Sequence, residues 1–350
     1  MDDEAARLTE EHRIGQARIA AEAARAALDG WRQVSPTNLE ETAARWLAAT
    51  VRAQRGFRGR SRRLSAAYNR LLRALRIGRT LPPLPDEPPI DPALGYSLGQ
   101  MRDTFSTASG QPQASAADDA QTVPVDEDFA WPEEDEEAAD RRATVALVVT
   151  GPVHAGRAMA DLQFAPSGGR LDDPEFLTEL SGLMQTAGAL TAGAADRDSL
   201  MGGRDLLEGV ARADRAVIGW ARVTADNPCD FCAMLASRGA VYRSEWSASY
   251  SGQLGRTGAV DRPDDWQLWT PEQLLTWEVG RGVQRFHDNC HCTILPIYSR
   301  EDWLPEESMA FRELWEEATR GLSGADARRA FRLAIEARRR RAQARGVSVR

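Results

Sequence analysis

The sequence predicts a mainly α protein that carries a small α+β cysteine/histidine-rich module, with a helical bundle at its N-terminus. Two observations carry the prediction. Long Ala/Glu/Arg-rich stretches place their larger apolar residues at helical spacing. All four cysteines and two of the four histidines fall in two short runs, Pro228-Cys229-Asp230-Phe231-Cys232 and Phe286-His287-Asp288-Asn289-Cys290-His291-Cys292. At 350 residues the chain has room for two or three domains.

Residues 1–80 read as a helical N-terminal domain. The first helix covers residues 4 to about 30, with Leu8, Ile14, Ile19 and Leu28 as its larger apolar positions. Ser35-Pro36-Thr37-Asn38 interrupts it, and Thr37 or Asn38 can cap the next helix with Glu40 or Glu41 reaching back. Leu39, Ala43, Trp46, Leu47 and Val51 share one face of that second helix. Leu64, Tyr68, Leu71, Leu72 and Leu75 share a face of a third, with a basic bridge from Arg52 to Arg63 between the two.

Residues 81–142 read as a Pro-rich and acidic linker. Its Leu81-Pro82-Pro83-Leu84-Pro85 start favours extended backbone. The polar stretch and acidic run that follow offer little apolar area to set against chain entropy. Residues 143–216 form a helical region, a short apolar run at Val145–Val149 broken by Gly151-Pro152, then helices over 173–187 and 199–216 with glycine-rich joints. Gly168-Gly169 and Gly202-Gly203 lack the lysine-bearing pattern of a phosphate loop and are not read as one. Residues 217–300 are the Cys/His module. Its strands are expected at Val217–Val223, near Val241 and at Cys290–Ile297, with a helical turn after Cys232. Residues 301–350 are a helical, basic C-terminal tail with Arg338, Arg339, Arg340 and Arg341 in a row.

Composition excludes several classes. The net charge of −8 argues against a chain that coats nucleic acid along its whole length, although the basic tail could touch DNA locally. No lysine occurs, as GC-rich coding DNA would favour. No apolar run approaches the ~20 residues needed to cross a bilayer, so no membrane partner is expected. Met1-Asp2-Asp3-Glu4 is acidic and opens no secretion signal, so the expected setting is a reducing cytoplasm. Clustered cysteines there point to metal or catalysis before disulfides.

Cys-x-x-Cys followed by Cys-x-Cys supplies four soft thiolates, and zinc suits such a set. His287, three residues before Cys290, can replace one thiolate. The candidate ligands are Cys229, Cys232 and two of His287, Cys290 and Cys292, around a structural zinc that would contribute folding energy. A thiol nucleophile is the competing reading: Cys229 or Cys232 attacks, His287 or His291 is the base, and Asp288 or Asp230 orients it. A redox dithiol or plain buried cysteines complete the alternatives, and the βαβ context of a thioredoxin is missing.

Trp220-Ala221-Arg222-Val223, then Pro228-Cys229-x-x-Cys232-x-x-Leu235-Ala236-x-Arg238-Gly239-x-Val241-Tyr242, then Phe286-His287-Asp288-x-Cys290-x-Cys292-x-x-x-Pro296, resembles the minor head protein family typified by the F protein of phage Mu. Similar proteins of actinobacterial phages are often labelled capsid maturation protease. The resemblance covers about residues 217–298. It implies a minor capsid component of a phage virion, made in the host cytoplasm and placed in the capsid interior or at the portal vertex. Its implied partners are the portal protein and the major capsid or scaffold protein. The family's Cys/His motif falls on Cys229, Cys232, His287, Cys290 and Cys292. Head morphogenesis is the expected function, and processing of capsid or scaffold at a Cys/His site is the alternative.

Overall fold

The computed structural model describes residues 2–89, 91, 95–110, 121–163, 171–240 and 290–345. Three long helices build the body: α1 (Asp2–Trp31), α2 (Leu39–Ile77) and α6 (Pro174–Ala213). Between them run α3 (Leu98–Ser109), α4 (Glu136–Val148) and α5 (His154–Asp161), with a two-stranded pairing of β1 (Tyr96–Ser97) and β2 (Thr122–Val123). After α6 come β3 (Gly219–Val223), α7 (Asp230–Ala236), β4 (Thr293–Ile297), α8 (Glu306–Ala318) and α9 (Gly324–Arg345). The mainly helical fold with a small α+β unit is as the sequence predicts.

The body differs from the expectation at several joints. The second and third N-terminal helices are one, because the basic bridge from Arg52 to Arg63 continues α2 without a break. Arginine is a good helix former and the bridge holds no proline, so the hydrogen-bond ladder passes through Gly56 and Gly59 unbroken. Asn38 stands at the start of α2 but makes no capping bond; its Nδ2 donates to Glu41 at 2.7 Å instead. The two helices expected over 173–216 are likewise one helix, α6, opened by Asp173, which accepts from the amides of Glu175 and Phe176, and by Pro174 at its first position. The apolar run at Val145–Val149 lies at the end of α4, and Gly151-Pro152 sits in a π turn (Val149–Val153) that leads directly into α5.

Gly202 and Gly203 explain how α2 and α6 come so close. A Cβ at Gly202 would stand 2.3 Å from the Arg58 carbonyl oxygen, and one at Gly203 would stand 2.4 Å from Ser65 Oγ. The Gly203 amide donates to Ser61 Oγ at 3.1 Å. These glycines are a packing device between helices and not a phosphate loop. His12 of α1 stacks on Tyr68 of α2 with ring centroids 4.2 Å apart and bonds Ser65 at 3.0 Å.

The segment read as a linker is folded against this body across its described residues. Leu81 and Leu84 pack with Leu206 and Val210 of α6, and Trp131 Nε1 donates to the Pro82 carbonyl at 3.0 Å. Met101, Phe105, Val123 and Val125 join the main core. Several of its acids pair with arginines of α2. Asp126 takes Arg73 at 2.5 Å, and Asp140 takes Arg58 at 2.5 Å. Arg58 also meets Asp198 of α6 at 2.8 Å, and Arg73 meets Asp214 at 2.8 Å. Composition alone sees a run of like charge. The counter-charges lie far away in sequence, and they turn that run into a clasp.

Candidate metal centre

β3 and β4 form an antiparallel ribbon with Gly219 opposite Ile297 and Val223 opposite Thr293. All residues of both strands are buried. Side chains alternate faces along a strand. Ala221, Val223, Leu295 and Ile297 enter the core shared with α1 and α2, while Trp220 and Ile294 join a cluster with Cys232, Leu235, Cys290 and Cys292. The ribbon therefore welds the cysteine module to the helical body.

α7 is the second support. Cys229 stands at its N-cap, and its sulfur accepts the Cys232 amide at 3.4 Å. Cys232 and Leu235 face the ribbon; Ala233 and Ala236 face Phe311 of α8 and Phe331 and Ile335 of α9. Gly239, at φ +61°, ends the turn after α7, and a Cβ there would stand 2.4 Å from the Trp303 carbonyl oxygen. Arg238 lies over the Trp315 ring at 5.5 Å. The Arg238-Gly239 pair thus ties the module to the C-terminal helices.

The sulfurs of Cys232, Cys290 and Cys292 all lie within 4.8 Å of one another and are buried. Cys232 and Cys290 are 3.8 Å apart, and no disulfide joins any of the four cysteines. The Ala225 amide donates to Cys292 Sγ at 3.5 Å, and Arg222 Nη2 donates to Cys232 Sγ at 3.3 Å. Arg204 of α6 fixes the Cys-x-Cys backbone, donating to the Cys290 and Cys292 carbonyls. Two guanidinium groups are thereby buried beside the three thiols: Arg222 is 1 % exposed and Arg204 5 %.

The titration of this group follows from its crowding. Cys232 is brought down to about 6: its hydrogen bond with Cys229 and its burial oppose ionisation, but bonds with Cys290 and Cys292 and the charge of Arg222 outweigh them. Cys292 is pushed well above the ordinary thiol range by its bonds to Cys232 and Cys290 and by burial. Ionisation of Cys232 thus opposes ionisation of Cys292. Cys229 is lowered to about 7, by its bond with Cys232 and then by the Cys232 amide. Arg222 is held more firmly protonated by the three sulfurs, despite its burial.

This donor set could hold a metal ion, and its chemistry fits zinc. Buried thiolates are soft ligands, and a divalent ion would displace the shared protons. Zinc with three thiolates is a net anion, for which Arg222 supplies a buried counter-charge. Such charge compensation outside the ligand shell is how metal sites are commonly supported.

Of the residues the sequence singles out, Cys232, Cys290 and Cys292 converge. Cys229 is partly exposed, packs at the edge of the same cluster and caps α7. His287 and Asp288 lie outside the described residues, as does the strand expected near Val241. His291 does not meet Asp230; its Nε2 is paired with Asp196 of α6 at 2.9 Å. The space beside His291 and Cys292 holds only about 10 Å³, too little for more than a water molecule. Arg204 and Asp196 escape the motif reading altogether. Their signal is present in α6, where Asp196, Arg204 and Glu208 recur at multiples of four among apolar residues and all are buried.

No described helix is long and apolar enough to cross a membrane. No curated protein and no solved structure matches the chain. Residues 175–318, from α6 through α8, match the family model described as VG15 protein, and over that span the chain is similar to a phage-associated viral family.

Proposed function

We propose that this chain is a minor head protein of a tailed phage, acting in capsid assembly beside the portal, and that a zinc ion clamps its Cys/His module. The observation that carries the reading is the convergence of Cys232, Cys290 and Cys292 inside a region similar to phage-associated proteins. Zinc is held by these three sulfurs, and Cys229, one turn away at the cap of α7, is the nearest further cysteine. When bound, the ion supplies cross-linking rather than a reactive centre, since its ligands are buried behind Trp220 and Ile294.

Capsid processing by a thiol is the weaker reading. A nucleophile must reach a peptide bond, and three of the four thiols are buried. The two readings separate in one experiment. The chain is co-expressed with the portal and major capsid proteins of its own phage, as wild type and as Cys229→Ser. The expected result is co-purification of both forms with the portal, with capsid protein of unchanged mass. Capsid cleavage that stops in Cys229→Ser would establish the protease. Absence of portal association in every form would sink the minor head reading.

A further inference from the structure

The sequence marks Arg338 to Arg341 as the basic element of the tail, but the fold distributes these residues differently. Arg338 lies over the Phe311 ring at 5.3 Å and donates to the Ala310 carbonyl at 3.4 Å. Arg341 turns back to the Ala337 carbonyl of its own helix, also at 3.4 Å. Phe331 and Ile335 anchor α9 on Phe311, Ala233 and Ala236, so the helix is seated with a fixed outward face. That face carries Arg328, Arg329, Arg332, Arg339 and Arg340. At ~100° per residue these five fall within an arc of ~120° and span ~18 Å along the axis. Arg332 has a marginal contact with Glu336 at 4.0 Å. Among the described residues, Arg328, Arg329, Arg339 and Arg340 have no ion-pair partner.

This is unlike the arginines of the body, where Arg55, Arg58, Arg70 and Arg73 are each matched to a carboxylate. A molecule with net charge −8 that sets five arginines against one carboxylate, Glu336, on one helix face has concentrated its attraction for polyanions there. We propose that the outward face of α9 binds DNA through its phosphates. A long row of guanidinium forks suits a regular anionic backbone, which each can grip with two hydrogen bonds. A protein partner would need a cluster of apolar anchors at the centre of its interface, and this face offers a single large apolar side chain, Leu333, 51 % exposed. Neither the metal nor the head assignment is needed for this inference.

The test is fluorescence anisotropy of a short labelled DNA duplex with the full chain, titrated with salt. Wild type should bind at low salt, with log K falling linearly as log salt rises. Replacing Arg328, Arg329, Arg332, Arg339 and Arg340 by glutamine should weaken binding by about ten-fold or more. The same change should flatten the salt slope by up to about 0.9 for each phosphate that is no longer neutralised. A control carrying glutamine at Arg25, Arg45, Arg52, Arg60 and Arg63 should bind like wild type. Should the five-fold variant lose its helical circular dichroism, Arg329→Glu with Arg340→Glu gives the same comparison with two changes. The proposal is overturned by absence of duplex binding at low salt, or by equal losses in the α9 variant and the control. Binding of polyglutamate but not of duplex also overturns it, and identifies an acidic protein surface as the occupant instead.

Discussion

The body and the cysteine module both bury arginine, and they neutralise it by different means. In the body, Arg58 is 1 % exposed and meets Asp198 and Asp140, while Arg73 meets Asp214 and Asp126. Every counter-charge there is a carboxylate supplied by the chain. In the module, Arg222 is equally buried, and its Nη2 donates to a cysteine sulfur. A thiol is a counter-charge only when it has lost its proton; Cys232, the sulfur that Arg222 meets, is brought down to about 6, while Cys292 beside it is pushed up. The difference teaches that the body sets its buried arginines against carboxylates, whereas the module sets one beside a group of sulfurs that could hold a metal ion.

The largest effect should come from removing the zinc proposed for those sulfurs. Chelation, or Cys290→Ser, is expected to cost the module much of a binding energy of up to about 10 kcal/mol. Hydrogen exchange reads this locally. Amides of β3 and β4 should become rapid while those of α2 stay protected. Purified wild type should contain one zinc per chain. If chelator leaves β3 and β4 protected, the module stands without metal and the contrast with the body disappears.

Next comes the body's own clasp. Asp198→Ala would leave Arg58 buried with one counter-charge fewer, at a cost of about 3–5 kcal/mol. Replacing the pair together, Arg58→Met with Asp198→Leu, should recover much of the loss, because the penalty belongs to the unpaired charge. Urea unfolding measures both. Neither change should alter the zinc content, and a loss of zinc in either would show that body and module are not separable.

These contrasts are unevenly legible in the sequence. Helix periodicity gives α1 and the apolar faces of α2, and Cys-x-x-Cys with Cys-x-Cys gives the cluster, because both signals are local. The continuity of α2 through Arg52–Arg63 is hidden because a basic stretch looks solvated until Asp140 and Asp198, more than eighty residues away, are brought beside it. The folding of the described residues within 81–142 is hidden for the same reason. Arg204 escapes notice because its partners are backbone carbonyls of Cys290 and Cys292, which no sequence pattern displays.

A smaller effect depends on pH and belongs to the body. His12 is pushed down to about 3 by burial. The unfolded chain takes up this proton below about pH 6.5 and the folded chain does not, so the contribution of His12 is fully present above that pH. It is lost as the pH falls from 6.5 towards 3, at about 1.4 kcal/mol per unit. Between pH 7 and pH 5 the wild type should lose about 2 kcal/mol more than His12→Asn. Equal losses in the two proteins would mean that His12 is protonated in the fold.

The smallest effect separates the two roles of Cys229. Its sulfur caps α7 by accepting the Cys232 amide, and serine is a good residue for that task. Cys229→Ser should therefore leave the fold within about 0.5 kcal/mol of wild type when metal is bound. The sulfur also lies beside the cluster and ionises near neutral pH, which gives it ligand character. With Cys232, Cys290 and Cys292 forming the core, the variant should still bind one zinc, with an affinity lower by about 10-fold to 100-fold. Competition with a chromophoric chelator reads the difference. A variant that binds no zinc at all would place Cys229 in the core with the other three. One that binds as tightly as wild type would leave Cys229 a helix cap alone, and the module would then draw any fourth donor from elsewhere.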